Sequence, residues 1–401
     1  MIEKHHSICL VVSDLTQNNR RLQPWRYLFE VACQLSDLGH AVSIITNGAS
    51  PAFVPPAENV TIHHLPTVSN PWWKPNRALQ QTIQQLKPDV IFWHVGLTSF
   101  LHQRLRHAGA APIVGIFTSP IYHLRELAPL GVERVVSGFH LTLVHILGTL
   151  APKWLLRRLA TNNHQLQRLV VQTETTRQML LSTGVWLKNI DVIKPGVDEV
   201  WSQFQTNRGN DLRVRLGYHP GDKVVLYFGS PAPLRGLHTL IKAVQQAATA
   251  VPDLKLIILS RRHTSELIQE DAQLRQLLAH SETEGRVQAI NGYLEAEELV
   301  AHLAVADIVA LPFELVPSDA PLSLLEAKTL GKPVVTTTSA CLPELVADSP
   351  HYLARPADTD SLADALIRAV NDLDCEQSHL FPTRRTWQQV GSEWAHLIQG
   401  L

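Results

Sequence analysis

The chain has 401 residues, 45% of them apolar and 18% charged, with a formal net charge of −1. Two soluble domains of ordinary size, each with its own core, suit these figures, and no nucleic-acid partner is expected. The charge is uneven: residues 1–199 hold 18 Lys and Arg against 12 Asp and Glu, and the remainder holds 17 against 24. A basic first half fits an anionic acceptor, a membrane surface or merely solvated charge.

The four cysteines, Cys9, Cys33, Cys341 and Cys375, form no C-x-x-C pair. This predicts a reducing compartment and no zinc site. The first residues carry no long apolar run before a small-residue cleavage site, and no stretch of 18 apolar residues occurs. A cytoplasmic protein without a spanning helix is therefore expected. The 20 histidines are scattered, with no H-E-x-x-H.

Ile8 to Val12 is a short apolar run, read as a buried parallel strand. A polar loop with Asn18, Asn19, Arg20 and Arg21 follows, then a helix over Trp25 to Leu38 closed by Gly39, then a strand over Ala41 to Thr46. Strand, helix and strand make a Rossmann-like opening, but G-x-G-x-x-G is missing, which counts against a dinucleotide oxidoreductase. Strands are expected over Val60 to Leu65, Val90 to His94 and Ala111 to Phe117, with a helix over Asn76 to Leu86. Val135 to Leu150 is apolar but interrupted, and Lys153, Arg157 and Arg158 follow it. That composition suits either a helix lying on an anionic membrane or core helices with a basic outer face. Leu169 to Thr173 reads as a strand and Glu174 to Thr183 as a helix, with a hinge turn at Pro195-Gly196.

The second half repeats the pattern. Val224 to Phe228 is a strand, Leu237 to Ala250 a helix, and the loop between them carries Gly229, Arg235 and Gly236. Arg can grip a phosphate at two points, and the loop leads into a helix start. A strand ends at Leu259 before Arg261 and Arg262; a helix over Glu297 to Ala306 and a strand over Asp307 to Leu311 follow. The stretch from Phe313 to Leu345 then reads loop, helix, strand and loop. Asp319 or Ser318 suits the N-cap, Pro321 the first turn, and Gly331 the end. Glu326 falls one turn into this helix, close enough to bond a ligand hydroxyl. After a helix over Thr359 to Leu373, the last helix, Phe381 to Leu401, lines up Trp387, Val390, Trp394 and Leu397.

Leu325-Glu326-Ala327, Gly331, Pro333-Val334-Val335 and Pro343-Glu344 resemble the nucleotide-sugar signature of retaining glycosyltransferases of family 4. Asp191 to Asp198 resembles the phrase that closes the family's first domain. The resemblance implies the GT-B fold: two Rossmann-like parallel-sheet domains facing a central cleft. They would span residues 1–198 and 199–380, with a helix over 381–401 returning to the first domain. It implies an NDP-sugar donor, UDP the more frequent, no metal or other cofactor, and a sugar, lipid or small-molecule acceptor entering from the first domain. A place at the inner face of the membrane fits the basic segment.

By the same resemblance, Arg235 stands where the family has the Lys that clamps the diphosphate, and Ser230 where it has an Arg, in a loop framed by Gly229. Glu326 would hold the ribose. Ser318 replaces the first acid of the family's Glu pair; with Asp319 and the amides of Leu322 and Ser323 it would face the sugar or β-phosphate. Gly292, Tyr293 and Leu294 would meet the base. Thr118 stands near the usual catalytic histidine, leaving His123 as the candidate and His94 as its neighbour. These departures keep two alternatives open: a non-catalytic binding or scaffold subunit, and another nucleotide-sugar enzyme such as an epimerase.

Overall fold

Apolar runs become the strands of two separate parallel sheets. The computed structural model describes residues 5–48, 57–69, 76–95, 111–122, 124–127, 130, 166–182, 184, 189–202, 206–231, 234–260, 272–283, 285–291, 294, 296–316, 318–374 and 384–401. The first sheet contains β1 (Ser7–Val11), β2 (Ala41–Thr46), β3 (Val60–His64), β4 (Val90–Val95), β5 (Ile113–Phe117), β6 (Leu166–Val171) and β7 (Ile190–Val192). The second contains β8 (Lys223–Phe228), β9 (Leu254–Ser260), β10 (Val287–Asn291), β11 (Ile308–Ala310), β12 (Val334–Thr337) and β13 (His351–Ala354). Their orders are β3-β2-β1-β4-β5-β6-β7 and β10-β9-β8-β11-β12-β13. Ile8 pairs with Val42 on one side and Val90 on the other, and Val225 with Leu256 and Ile308. Such strands are covered on both faces, which is why they read as continuous apolar runs.

The helices are α1 (Trp25–Asp37), α2 (Arg77–Leu86), α3 (Leu124–Leu127), α4 (Glu174–Ser182), α5 (Thr206–Arg215), α6 (Leu237–Ala247), α7 (Ala272–Thr283), α8 (Ala296–Val305), α9 (Leu322–Thr329), α10 (Leu342–Val346), α11 (Thr359–Asn371) and α12 (Trp387–Gln399). Each sheet reverses its winding beside its first strand, between β1 and β4 and between β8 and β11. In doubly wound sheets the ligand crevice opens at that point, outside the carboxyl ends of the strands.

The chain crosses back where Val197 bridges Thr386. Thr386 and Gln389 form a capping box that starts α12 at Trp387, later than Phe381. Residues 375–383 lie outside the described residues. Trp387, Val390, Trp394 and Leu397 then join the apolar core of the first sheet. Trp394 Nε1 donates to the Tyr27 hydroxyl at 3.2 Å, and that hydroxyl donates to Ile193 O at 2.8 Å. Gly391 is needed here, because a Cβ would lie 2.5 Å from Gln34 Cβ on α1. The last helix is thus a packed part of the first domain.

One local expectation is corrected. Neither Asp319 nor Ser318 caps α9; Pro321, extended at φ −66° and ψ 121°, holds the N-cap without a side-chain bond. The Asp319 carboxylate is engaged elsewhere, by Gln172 N and the Thr173 and Thr176 hydroxyls.

Trp394→Ala removes a fully buried ring and takes from the Tyr27 hydroxyl the donor that it accepts from. It should cost about 3–5 kcal/mol, read as a lower midpoint in denaturant unfolding.

Candidate functional site

The segments that follow β5 and β6 touch the segment that follows β11, and the loops after β8 and β11 stand at the switch point of the second sheet. These two loops are zipped together. Glu314 N and Leu315 N donate to Leu234 O at 2.9 and 3.0 Å. The Thr239 hydroxyl donates to Glu314 Oε1 at 2.6 Å. Gly236, at φ +79°, passes so close that a Cβ would sit 1.9 Å from Pro312 O. Tyr227 ties the other end of the loop by donating to Ser230 O at 2.6 Å, beside Gly229 at φ +137°.

This frame presents Arg235. Its guanidinium lies over the Phe313 ring, 5.3 Å from the centroid. Burial pulls its pKa down, with the Tyr227 and Tyr122 hydroxyls as the groups that push back. The residue nonetheless keeps solvent-accessible surface, as a group at the bottom of a cleft does. Among the described residues no carboxylate pairs with it. A desolvated cation without a counter-charge is unfavourable until an anion arrives.

Asp319 does not face this space. Its Oδ2 accepts from Gln172 N at 2.8 Å, and its Oδ1 from the Thr173 and Thr176 hydroxyls at 2.6 and 2.5 Å. All three partners are in the first domain, at the start of α4. Asp319, expected to face the sugar or β-phosphate, has its carboxylate turned to two hydroxyls and an amide of the first domain. Glu344 does the same from α10, accepting from Glu174 N at 3.1 Å, Thr175 N at 2.7 Å and the Thr175 hydroxyl at 2.8 Å, with Lys194 at 3.0 Å. The seam is extended by Val316 N donating to the Tyr122 hydroxyl at 2.6 Å and by Asp319 N donating to Thr118 O at 2.7 Å. The Gln172 and Gln23 amides hold the N–H and C=O of Ala320 at 3.2 and 3.5 Å. Tyr122, Leu127 and Leu130 from one domain pack with Leu234 and Leu315 from the other.

The remaining candidates separate. Ser318 is buried, and among the described residues its hydroxyl finds no partner. The Leu322 side chain packs on the core of the first domain. The amides of Leu322 and Ser323, at the open start of α9, take no partner among the described residues. Glu326 is half-buried and acts electrostatically on Arg26 of α1. Arg26 itself reaches Asp198 at 2.5 Å and Glu30 at 3.1 Å. Leu294 packs partly buried against the core of the second domain. Gly292, Tyr293 and His123 lie outside the described residues, as do Arg261, Arg262 and the segment 135–158. His94 Nε2 meets the Thr118 hydroxyl at 3.0 Å, and burial pushes its pKa down to about 4, so it is neutral at pH 7. Sequence reasoning missed Tyr122, Gln23, Gln172, Thr173 and Thr176. Only the Thr173 N-cap pattern, seen in its bond from Thr176 N at 3.2 Å, left a local trace.

The family profile of Glycosyltransferase Family 4 matches residues 25–200, and that of Glycosyl transferases group 1 matches residues 222–372. The chain belongs to glycosyltransferase family 4. D-inositol 3-phosphate glycosyltransferase of Nocardia farcinica is 29% identical over 238 residues, 58% of this chain and 51% of that protein. A GDP-mannose-dependent monoacylated alpha-(1-6)-phosphatidylinositol monomannoside mannosyltransferase of Corynebacterium glutamicum is 30% identical over 200 residues, 47% of this chain and 48% of that protein. The chain thus spans about half the length of the curated relatives it matches. Anabaena HepE in complex with UDP shares the GT-B fold with a TM-score of 0.70 at 17% identity, covering 98% of this chain and all of that one. Among the described residues no helix is long and apolar enough to cross a membrane, and no three His, Cys, Asp or Glu side chains cluster as metal ligands.

Burial raises the Asp319 pKa from 3.8 to about 7, against the downward pull of Thr173, Thr176 and Gln172; Glu344 adds a smaller upward push. Tyr27 and Cys341 are the other titratable groups that feel it. Between those two pH values the folded chain binds a proton that the unfolded chain has lost. Stability from this group is therefore complete below pH 4, falls by up to about 1.4 kcal/mol per unit as pH rises to 7, and is flat above. Urea unfolding from pH 4.5 to 8 should show Asp319→Asn losing that slope relative to wild type.

Proposed function

We propose that the protein transfers a sugar from a nucleoside-diphosphate sugar to a sugar, lipid or small-molecule acceptor, with retention of configuration. The observation that carries this is Arg235: a cation with its pKa lowered by burial, unpaired among the described residues, held rigidly at the switch point of the second sheet. It binds the donor diphosphate and neutralises the charge that builds up as the sugar leaves. The amides of Leu322 and Ser323 add the positive end of α9 to the same anion. Together they stabilise the leaving group without requiring a metal.

Glu326 accepts hydrogen bonds from the ribose hydroxyls, the role that its place in the signature implies. The partnerless Ser318 hydroxyl stands where the signature has its first acid and meets the transferred sugar. The acceptor enters from the first domain, and closure of the cleft keeps water from the reaction. UDP is the proposed nucleotide and GDP its rival, since a fold neighbour holds UDP and a relative is named for GDP-mannose. A second reading, a binding or scaffold subunit, draws on Asp319 being committed to the first domain.

Melting temperature measured against UDP, GDP, ADP and their common sugars decides between them. A ligand at about 100 times its dissociation constant stabilises by roughly 2.7 kcal/mol. One nucleotide should raise the wild-type melting point, with and without Mg²⁺, and Arg235→Ala and Glu326→Ala should each lose most of the shift. No shift with any nucleotide supports the scaffold reading.

A further inference from the structure

The first amides of any α-helix lack intrahelical partners. At α4 the Glu174 and Thr175 amides find theirs in the other domain, while Thr176 N–H bonds to Thr173 Oγ1 of its own. Asp319 takes Gln172 N–H and the Thr173 and Thr176 hydroxyls; Glu344 takes Glu174 N–H, Thr175 N–H and the Thr175 hydroxyl. The positive end of the helix favours both carboxylates. Asp319 lies in the loop just before α9, and Glu344 lies in α10, beyond β12. One helical turn of the first domain therefore fixes two segments of the second at once.

We propose that Asp319 and Glu344 form an interdomain latch on the first turn of α4, whose release opens the cleft. Neither carboxylate binds substrate; they position what does. While latched, Ala320 is gripped by Gln172 and Gln23, Val316 by Tyr122, and Arg235 lies within electrostatic reach of that same Tyr122. The seam is also poised to part. Ser318 Oγ, Gln172 Nε2 and Gln23 Oε1 are sealed from solvent without partners among the described residues, and buried polar atoms left unpaired oppose closure. Among the described residues, four interdomain contacts through Asp319, its own amide included, and four through Glu344, its ion pair with Lys194 included, hold shut an interface whose neighbouring polar atoms gain by opening. What the opening admits rests on the glycosyltransferase reading; the latch itself does not.

The test is hydrogen exchange and small-angle scattering on the full, ligand-free chain. Asp319→Asn/Glu344→Gln should enlarge the radius of gyration. It should also speed exchange of the Gln172, Glu174 and Thr175 amides at least about tenfold, the factor that losing one hydrogen bond to a charged group implies. Amides of β1 and β8 should keep their wild-type protection, which a general loss of stability would not allow. Thr173→Val/Thr176→Val, cut from the opposite side, should reproduce the Asp319 part and decides the matter if the first variant fails to fold. Unchanged scattering and exchange at the seam, or faster exchange spread evenly into β1 and β8, overturns the latch. A nucleotide panel run on wild type in parallel keeps the two ideas apart. If no nucleotide binds, the donor reading falls while the exchange result still judges the latch.

Discussion

A single helical turn holds the closed form of this protein together. The amides that open α4 would otherwise need water, and they are answered by Asp319 and Glu344 reaching across from the second domain. Because the interaction is made of directional hydrogen bonds, it fixes position and not merely proximity. The loops after β8, β11 and β12 are all held by it, directly or through the zipped pair at Leu234 and Glu314. Remove it and the seam keeps the Tyr122–Val316 bonds, the Gln172 and Gln23 bonds to Ala320, and the non-directional apolar patch of Tyr122, Leu127, Leu130, Leu234 and Leu315.

The placement of Arg235 shows how rigidity and reactivity are combined. Gly236 allows a backbone approach to Pro312 that no side chain would permit, and the Phe313 face supports the guanidinium from below. Among the described residues no carboxylate pairs with it. A cation held in that way attracts phosphate oxygens more strongly than an ion-paired one, since no existing partner has to be displaced.

The chain departs from its family's signature at connected places. Ser318 stands for an acid, and its neighbour Asp319 has been drawn into the interdomain contact. Thr118, in place of a histidine, offers its carbonyl to Asp319 N and its hydroxyl to His94. Ser318 and Thr118 are thus linked through Asp319, the chain neighbour of one and the hydrogen-bond partner of the other.

Much of this protein was fixed by local sequence. Apolar runs such as Ile8 to Val11 and Val224 to Phe228 announced parallel strands because both faces of such strands are covered. Gly229 and Gly236 framed a loop with one Arg, and the Trp and Val spacing after Thr386 foretold a helix with one apolar face. These features depend on period and backbone freedom, which a few neighbouring residues specify. The direction of the Asp319 side chain does not. From sequence it is an N-cap or a ligand contact; in the fold it finds partners 143 to 147 residues earlier in the chain. The choice was made by the docking of two domains, because a carboxylate joins whichever donors surround it, and only the tertiary structure decides which donors those are.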